Sequence, residues 1–194
     1  MGHYQPSRVL TNDDLAAMVE TSDEWIRTRV GIETRHIAAD GETVDDMATA
    51  AVEKALANGG IEAASVDLVV VATCTAEHRS PNMAARVAAR LGMEAPAVYD
   101  LNTVCAGFCY ALATAYHAIR AGAARTAVVV GSEKFSAVTD WTDRTTCVLV
   151  GDGAGAVVLS ACEPGEEPGV GPVVWGSVPQ LGSAVRIEHT PDRK

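Results

Sequence analysis

Two short runs of apolar, mostly β-branched residues place the strongest constraint on the fold of this chain. The first spans residues 68–73, with the sequence LVVVAT, and the second spans residues 127–130, with the sequence AVVV. Continuous apolar runs of this length are typical of strands covered on both faces, as in a parallel sheet between layers of helices. Segments with helical spacing lie between them, which is the pattern of an α/β fold with a largely parallel sheet.

Helical spacing and glycine stops predict two helices around the first run. One covers about residues 45–58 and stops at Gly59-Gly60. The other starts near Pro81 and ends at Gly92. Proline is well suited to the first turn of a helix and glycine to the position just past its end. Strand and helix therefore alternate along this part of the chain.

Two more strands and a change of composition complete the predicted domain. An alternating segment at residues 97–101 and an apolar segment at residues 154–159 are predicted to be strands. From residue 163 the composition shifts to proline, glycine and glutamate, which is typical of loops. The sequence therefore predicts one domain over residues 1–162 and a loop-rich segment over residues 163–194.

A glycine-rich run, GDGAG at residues 151–155, precedes the last predicted strand. It lacks the Lys-Ser/Thr ending of a phosphate-binding P-loop, and it leads into a strand rather than a helix. A turn that requires a positive φ or a close approach of two backbones is the better explanation. We therefore predict that residues 151–153 form a structural turn.

Composition argues against several classes of function. The net charge of −10 argues against sequence-independent nucleic-acid binding, which needs clustered lysine and arginine. No apolar run approaches the roughly 18 residues of a membrane helix, and the N-terminus lacks the features of a signal peptide, so the expected location is the cytoplasm. The five cysteines lack CxxC spacing, which indicates neither a zinc site nor a disulfide framework. We expect reduced thiols, most of them packed in the core.

Cys105 is the strongest candidate for a catalytic residue. It lies between the predicted strand at residues 97–101 and a predicted helix from Ala106 to Gly122. At a helix N-terminus, unpaired backbone N–H groups and the helix dipole favour the thiolate, which is the nucleophilic form of cysteine. On position alone, a cysteine that only fills core space is an equally good interpretation. None of the five histidines is an obvious base for Cys105.

Four sequence motifs together indicate a family. They are TSDEWIRTRVGI at residues 21–32 followed by RHIA at residues 35–38, CAGF at residues 105–108, DR at residues 143–144, and GDGAGA at residues 151–156. In this order and at this spacing they resemble the N-terminal part of the β-ketoacyl-acyl carrier protein synthase III family, which belongs to the thiolase superfamily. The resemblance favours the interpretation of Cys105 as a nucleophile.

The resemblance implies an acyltransferase of the ketoacyl synthase III type. Cys105 would take an acyl group from acyl-CoA and condense it with malonyl-acyl carrier protein, with decarboxylation, in the initiation of fatty-acid or polyketide synthesis. Covalent catalysis of this kind divides one difficult acyl transfer into two easier steps. The backbone N–H of Cys105 would contribute to the oxyanion hole. The resemblance implies no metal and no cofactor, with acyl-CoA as a substrate.

The resemblance also assigns residues to the binding of CoA. Trp25 and Arg144 would sandwich the adenine, with Thr21 nearby and Arg29 close to the phosphates. Aromatic and guanidinium planes stack on a base, and arginine presents paired donors to phosphate. The structural alternatives are that Trp25 is a core aromatic residue and that Arg29 and Arg144 are solvated charges.

Finally, the resemblance implies how much of the family's fold this sequence represents. The family has a thiolase-like αβαβα sandwich, with a mixed, largely parallel sheet and two similar halves. This sequence corresponds to the N-terminal half, with its first strand largely missing, and residues 163–194 lead towards an absent C-terminal half. That half supplies a histidine and an asparagine for condensation.

We expect a homodimer and a separate C-terminal half as partners. An acyltransferase without condensation and a non-catalytic assembly subunit are the alternative functions.

Overall fold

The computed structural model describes residues 1–184, which form a five-stranded sheet, a two-stranded sheet and five α-helices. The strands are β1 (Gly2–Tyr4), β2 (Arg8–Thr11), β3 (Thr34–Ile37), β4 (Leu68–Ala72), β5 (Ala97–Leu101), β6 (Thr126–Lys134) and β7 (Asp152–Ser160). The helices are α1 (Asn12–Ala16), α2 (Asp23–Val30), α3 (Val44–Gly59), α4 (Met83–Arg90) and α5 (Gly107–Arg120). None of these helices in residues 1–184 has the length and apolarity needed to cross a membrane. Residues 185–194 of the predicted loop-rich segment lie outside the described residues.

The large sheet is mixed and has the strand order β1-β7-β6-β4-β5. β4 is parallel to β5 and to β6, so that Leu68 lies opposite Ala97 on one side and Ala127 on the other. β7 is antiparallel to β6 and to β1. Parallel neighbours need a crossover connection, usually a helix, whereas β6 and β7 are joined by a segment with only short 3-10 turns. The predicted α/β class and mixed sheet are confirmed, with two of the four pairings parallel.

Helices cover both faces of the central strands. On one face α3 and α4 pack against Val69 and Val71, and on the other face α5 packs against Leu68 and Val70. All five side chains of β4 are at most 4% exposed. A strand that is buried on both sides has no position for a polar residue, which explains the uninterrupted apolar run in its sequence.

Helix α3 begins and ends where the sequence signals predict. The Thr43 hydroxyl accepts a hydrogen bond from the Asp46 N–H at 3.3 Å, and the Asp46 carboxylate accepts one from the Thr43 N–H at 2.8 Å. This reciprocal arrangement is a capping box. At the other end, Gly60 has a φ of 62°, in the left-handed region that glycine adopts without strain. The predicted bounds, residues 45–58, are each one residue from the observed ones.

A separate hydrophobic cluster positions the N-terminal helices α1 and α2. Leu15, Ile26 and Val148 are almost fully buried within it. Arg35, only 5% exposed, links its parts by donating to the Asn12 side-chain oxygen at 2.8 Å and to the Val148 carbonyl at 3.1 Å. Through these contacts α2 is held close to the 3-10 turn that follows residue 146.

The prediction of a turn at residues 151–153 is wrong, although the need for glycine there has a structural basis. β7 already begins at Asp152, and Gly153 lies opposite Glu133 of β6. A Cβ atom at Gly151 would lie 3.0 Å from the Cβ of Arg35 and 3.2 Å from the His36 carbonyl oxygen. Gly151 therefore permits a close approach between the start of β7 and the end of the two-stranded sheet.

The described part of the C-terminal segment packs beside α5. Residues 161–184 contain no α-helix or strand, and their only regular element is the 3-10 turn Pro179–Leu181. Trp175 stacks on Tyr110 of α5, with ring centres 5.5 Å apart and planes 9° apart. His117 meets the same indole ring edge-on at 5.4 Å.

Candidate active site

Cys105 lies in a single 3-10 turn, Val104–Ala106, between β5 and α5. Its side chain is exposed. The preceding residue, Val104, has a φ of 49°, a left-handed conformation that is strained for a β-branched residue. Strain of this kind persists where the surrounding structure imposes it, and it clusters at functional sites. The predicted position beside a helix start is therefore confirmed, and the alternative of a buried, space-filling cysteine is wrong.

The N-terminus of α5 has no side-chain cap, and the Gly107 N–H donates to the Val104 carbonyl of the preceding turn. Within residues 1–184 it is the only α-helix start without a side-chain cap, because α1, α2, α3 and α4 are capped by Thr11, Ser22, Thr43 and Asn82. The first backbone N–H groups of a helix have no partner inside the helix. Backbone N–H groups beside such a turn can stabilise negative charge on a substrate oxygen.

Gly107, the first residue of α5, lets the helix begin close to the end of β4. A Cβ atom on Gly107 would lie 3.2 Å from the Cβ of Ala72, tighter than ordinary van der Waals contact. Any larger residue would push the start of α5 away from the sheet. Gly107 therefore contributes to the placement of the Cys105 turn.

A polar cluster follows the carboxyl end of β4, beside the turn with Cys105. Glu133 of β6 accepts hydrogen bonds from the Cys74 N–H at 2.8 Å, from the Thr73 hydroxyl at 3.2 Å and from the Thr75 hydroxyl. Burial, together with the charge of Glu133 and its hydrogen bond to the thiol, raises the pKa of Cys74 to about 12. The negative charge that Cys105 acquires on ionisation also acts on Cys74 in the same direction. Cys74 is therefore a neutral thiol near the candidate nucleophile.

Trp25 and Arg144 are in direct contact. The guanidinium of Arg144 lies 5.1 Å from the centre of the Trp25 indole ring, in cation-π geometry. The loop with Arg144 is ordered by Asp143, which accepts hydrogen bonds from the Thr145 hydroxyl at 2.7 Å and the Thr146 hydroxyl at 2.8 Å. Trp25 is only half-buried and packs at the edge of the N-terminal hydrophobic cluster.

The other two predicted CoA residues lie on or beside α2. Arg29 is exposed and lies four residues after Trp25, which places both on the same side of the helix. Thr21 is half-buried just before the cap residue Ser22, and its hydroxyl oxygen is buried without a hydrogen-bond partner among the described residues. Three of the four residues thus belong to one helical segment, and Arg144 joins them from a distant loop.

An apolar groove lies beside the start of α5. It has a volume of about 560 Å³, and its walls include Phe108, Gly131, Gly155 and Val157. It exists because α5 covers β4 and β6 but leaves part of the same face of β7 open. In residues 1–184 no group of three or more histidine, cysteine or acidic side chains is placed to hold a metal ion.

The polar cluster around Glu133 was not foreseen from the sequence. No motif in the sequence assigned a role to Cys74 or to Glu133. One sequence feature could have indicated the cluster. Glu133 is an acidic residue that follows the apolar stretch of β6, two residues after Gly131. A charged residue in such a place needs hydrogen-bond partners, and here it finds them on the segment that follows β4.

Comparison with known sequences and structures agrees with this geometry. The family model of 3-oxoacyl-[acyl-carrier-protein] synthase III matches residues 99–179. The chain is 68% identical over 193 residues to a β-ketoacyl-acyl carrier protein synthase III of Streptomyces avermitilis, and 69% identical over the same length to one of Streptomyces coelicolor. Both matches cover 100% of this chain but only 61% of the relative.

Solved structures show the same fold. The synthase III of Aquifex aeolicus superposes with a TM-score of 0.82 and 46% identity, covering 84% of this chain and 52% of that chain. The priming β-ketosynthase of the R1128 polyketide pathway superposes with a TM-score of 0.81 and 39% identity, covering 83% of this chain and 48% of that chain. Most of the fold described above thus has a counterpart in these solved structures. The chain belongs to the β-ketoacyl-acyl carrier protein synthase III family and corresponds to the N-terminal half of its thiolase-like fold.

Proposed function

We propose that this chain supplies the nucleophile and the CoA-binding residues of a β-ketoacyl-acyl carrier protein synthase III. The observation that supports this most directly is the exposed Cys105 on a strained turn at an uncapped helix N-terminus. Its sulfur would attack the thioester carbon of acyl-CoA, form a new thioester and release CoA as the leaving thiolate. The backbone N–H of Cys105 would help to stabilise the oxyanion of the tetrahedral intermediate.

The second half-reaction is a condensation. Malonyl-acyl carrier protein would lose CO2, and the resulting carbanion would attack the acyl carbon and free Cys105. The resemblance assigns the histidine and asparagine of this step to a C-terminal half. We therefore propose that the apolar groove beside Phe108 and Gly155 is covered by that half, because an open apolar surface of this kind is costly in water. A non-condensing acyltransferase would share only the first step.

We also propose a homodimer and a cytoplasmic location. β5 is an edge strand that pairs only with β4 within residues 1–184, so its outer edge is open to a second copy of the chain. All five cysteines are free thiols, as expected in a reducing compartment. The Streptomyces relatives are named as β-ketoacyl-acyl carrier protein synthases III, which favours this class over a non-catalytic assembly subunit.

The proposal is tested by intact-mass spectrometry of the purified protein after incubation with a panel of acyl-CoAs. We expect a gain of one acyl group per chain. Subsequent addition of malonyl-acyl carrier protein distinguishes the functions, because a condensing enzyme releases CO2 and a simple acyltransferase does not. If the folded protein gains no acyl group from any acyl-CoA in the panel, this half does not assemble the site alone, and the experiment moves to the chain together with its C-terminal half.

We propose that the Trp25–Arg144 pair binds the adenine of CoA by opening. A flat base between the two planes needs about 7 Å, twice the contact distance of about 3.5 Å between carbon atoms. The pair is 5.1 Å apart, so Arg144 has to move outwards by about 2 Å to admit the base. Arg29, on the same side of α2, would then face the phosphates.

Replacing Trp25 with alanine is expected to weaken acyl-CoA binding about 10- to 100-fold, because stacking of a base on an aromatic ring contributes about 1–3 kcal/mol. The acylation rate at saturating acyl-CoA should change little. The measurement is the dependence of the acylation rate on acyl-CoA concentration. Acyl-pantetheine, which lacks the nucleotide, is the matched control and should react equally with both proteins. Equal loss with both donors would show that Trp25 only supports the fold.

A further inference from the structure

Every group that contacts the Glu133 carboxylate is a hydrogen-bond donor. One oxygen accepts from the Cys74 N–H, and the other accepts from the hydroxyls of Thr73 and Thr75. The hydroxyls are themselves engaged as acceptors, because Thr73 accepts from the Thr75 N–H at 3.2 Å and Thr75 accepts from the Lys134 N–H at 2.8 Å. Their protons are therefore directed to Glu133. A carboxylate that only accepts hydrogen bonds fits this arrangement. The amide of a glutamine at this position would instead place its own N–H donors against these donors.

The same hydrogen bonds place Cys74 beside the Cys105 turn. Ala72, at the end of β4, lies opposite Leu101, at the end of β5, and the Thr73 N–H donates to the Leu101 carbonyl at 3.2 Å. Cys74 therefore follows the carboxyl end of β4 on the same side of the sheet on which Cys105 follows the carboxyl end of β5. Glu133 on β6 and Cys105 are the two ionisable groups that act on the Cys74 thiol. The site thus contains two thiols, and only one of them can be the acyl carrier.

We propose that Glu133 is a positioning residue that holds Cys74 as a neutral thiol and so leaves Cys105 as the single nucleophile of the site. This inference rests on the proposed function of Cys105. Half-burial of Cys74 disfavours a thiolate, and the charge of the Glu133 carboxylate, which accepts from the Cys74 N–H at 2.8 Å, disfavours it further. Because the thiolate is the form that attacks thioesters, alkylating agents and peroxides, the carboxylate of Glu133 suppresses acylation and oxidation of Cys74.

The test is the pH dependence of alkylation by iodoacetamide, with each cysteine quantified at the peptide level. In the unaltered protein, alkylation of Cys74 should rise about tenfold per pH unit up to pH 10, without reaching a plateau. In Glu133→Gln the profile should move to lower pH by about one unit or more. At pH 8 Cys74 should then react about tenfold faster or more, while exposed Cys109 serves as an internal reference.

Thr75→Val is the matched control, because it removes one donor to Glu133 but keeps the charge. A loosened segment would also relieve the burial of Cys74 and move its profile, so a shift that Thr75→Val shares with Glu133→Gln is assigned to burial, and only the additional shift in Glu133→Gln is assigned to the charge. Glu133→Asp should restore most of the suppression. An unchanged pH profile of Cys74 alkylation in folded Glu133→Gln overturns the proposal. A plateau of this profile below pH 10 in the unaltered protein also overturns it, and this measurement requires no variant. Because alkylation requires no acyl-CoA, failure here is distinct from failure of the proposed function.

Discussion

Replacing Cys105 with alanine is expected to abolish the covalent gain of an acyl group from acyl-CoA. The Cys105 thiol is exposed on the turn between β5 and α5, beside the uncapped N-terminus of α5. Without a nucleophile the acyl group has no attachment point, and activity should fall on the order of 10⁴-fold or more. The measurement is intact-mass spectrometry after incubation with acyl-CoA, with CO2 release from malonyl-acyl carrier protein as the second readout.

Cys109 offers a matched control for this experiment. It is exposed and lies four residues after Cys105, as the third residue of α5 rather than on the preceding turn. Cys109→Ala should retain the gain of one acyl group. If Cys105→Ala still acquires the acyl group, or if Cys109→Ala loses it, the nucleophile has been assigned to the wrong cysteine.

The central sheet could be predicted from the sequence because burial leaves a strong local signal. β4 is covered on both faces, so its apolar run is continuous, and α3 has both a capping box and a glycine stop. The two-stranded sheet of β2 and β3 gave no such signal. In β2 a single residue of four is buried, and α1 has only five residues, so neither segment shows a periodicity that distinguishes it from a loop.

The candidate site could be predicted only in part, for a similar reason. The place of Cys105 between a strand and a helix, a local pattern, made it a candidate, but only the family motifs favoured a nucleophile over a space-filling cysteine. The contact between Trp25 and Arg144 joins two segments that are distant in the sequence, so its residues were recognised through family motifs and not through their own chemistry. Glu133 was missed because its partners, from Thr73 to Thr75, are brought to it by the parallel pairing of β4 and β6.

The second large effect is expected at Asp45, which links α3 to α4. The Asp45 side chain is fully buried, and the Arg90 Nη2 lies 2.8 Å from its Oδ2 atom. The Arg86 Nε lies 2.9 Å from the same oxygen, at ion-pair distance although without hydrogen-bond alignment. Asp45→Ala leaves both guanidinium groups without this buried counter-charge. Removing one partner of a buried ion pair costs about 3–5 kcal/mol.

The arginine side chains are 28% and 40% exposed, so water recovers part of that cost, and we expect a loss of about 2–4 kcal/mol in the free energy of unfolding. Urea denaturation at neutral pH measures it. Asp45→Asn keeps the volume and can still accept the hydrogen bond that the Thr43 hydroxyl donates at 2.9 Å, so it separates charge from packing. A similar loss in both variants assigns the stability to the charge, because only the charge is absent from both. A loss below about 0.5 kcal/mol in Asp45→Ala would mean that solvent satisfies the arginines and that apolar contacts alone hold α4 on α3.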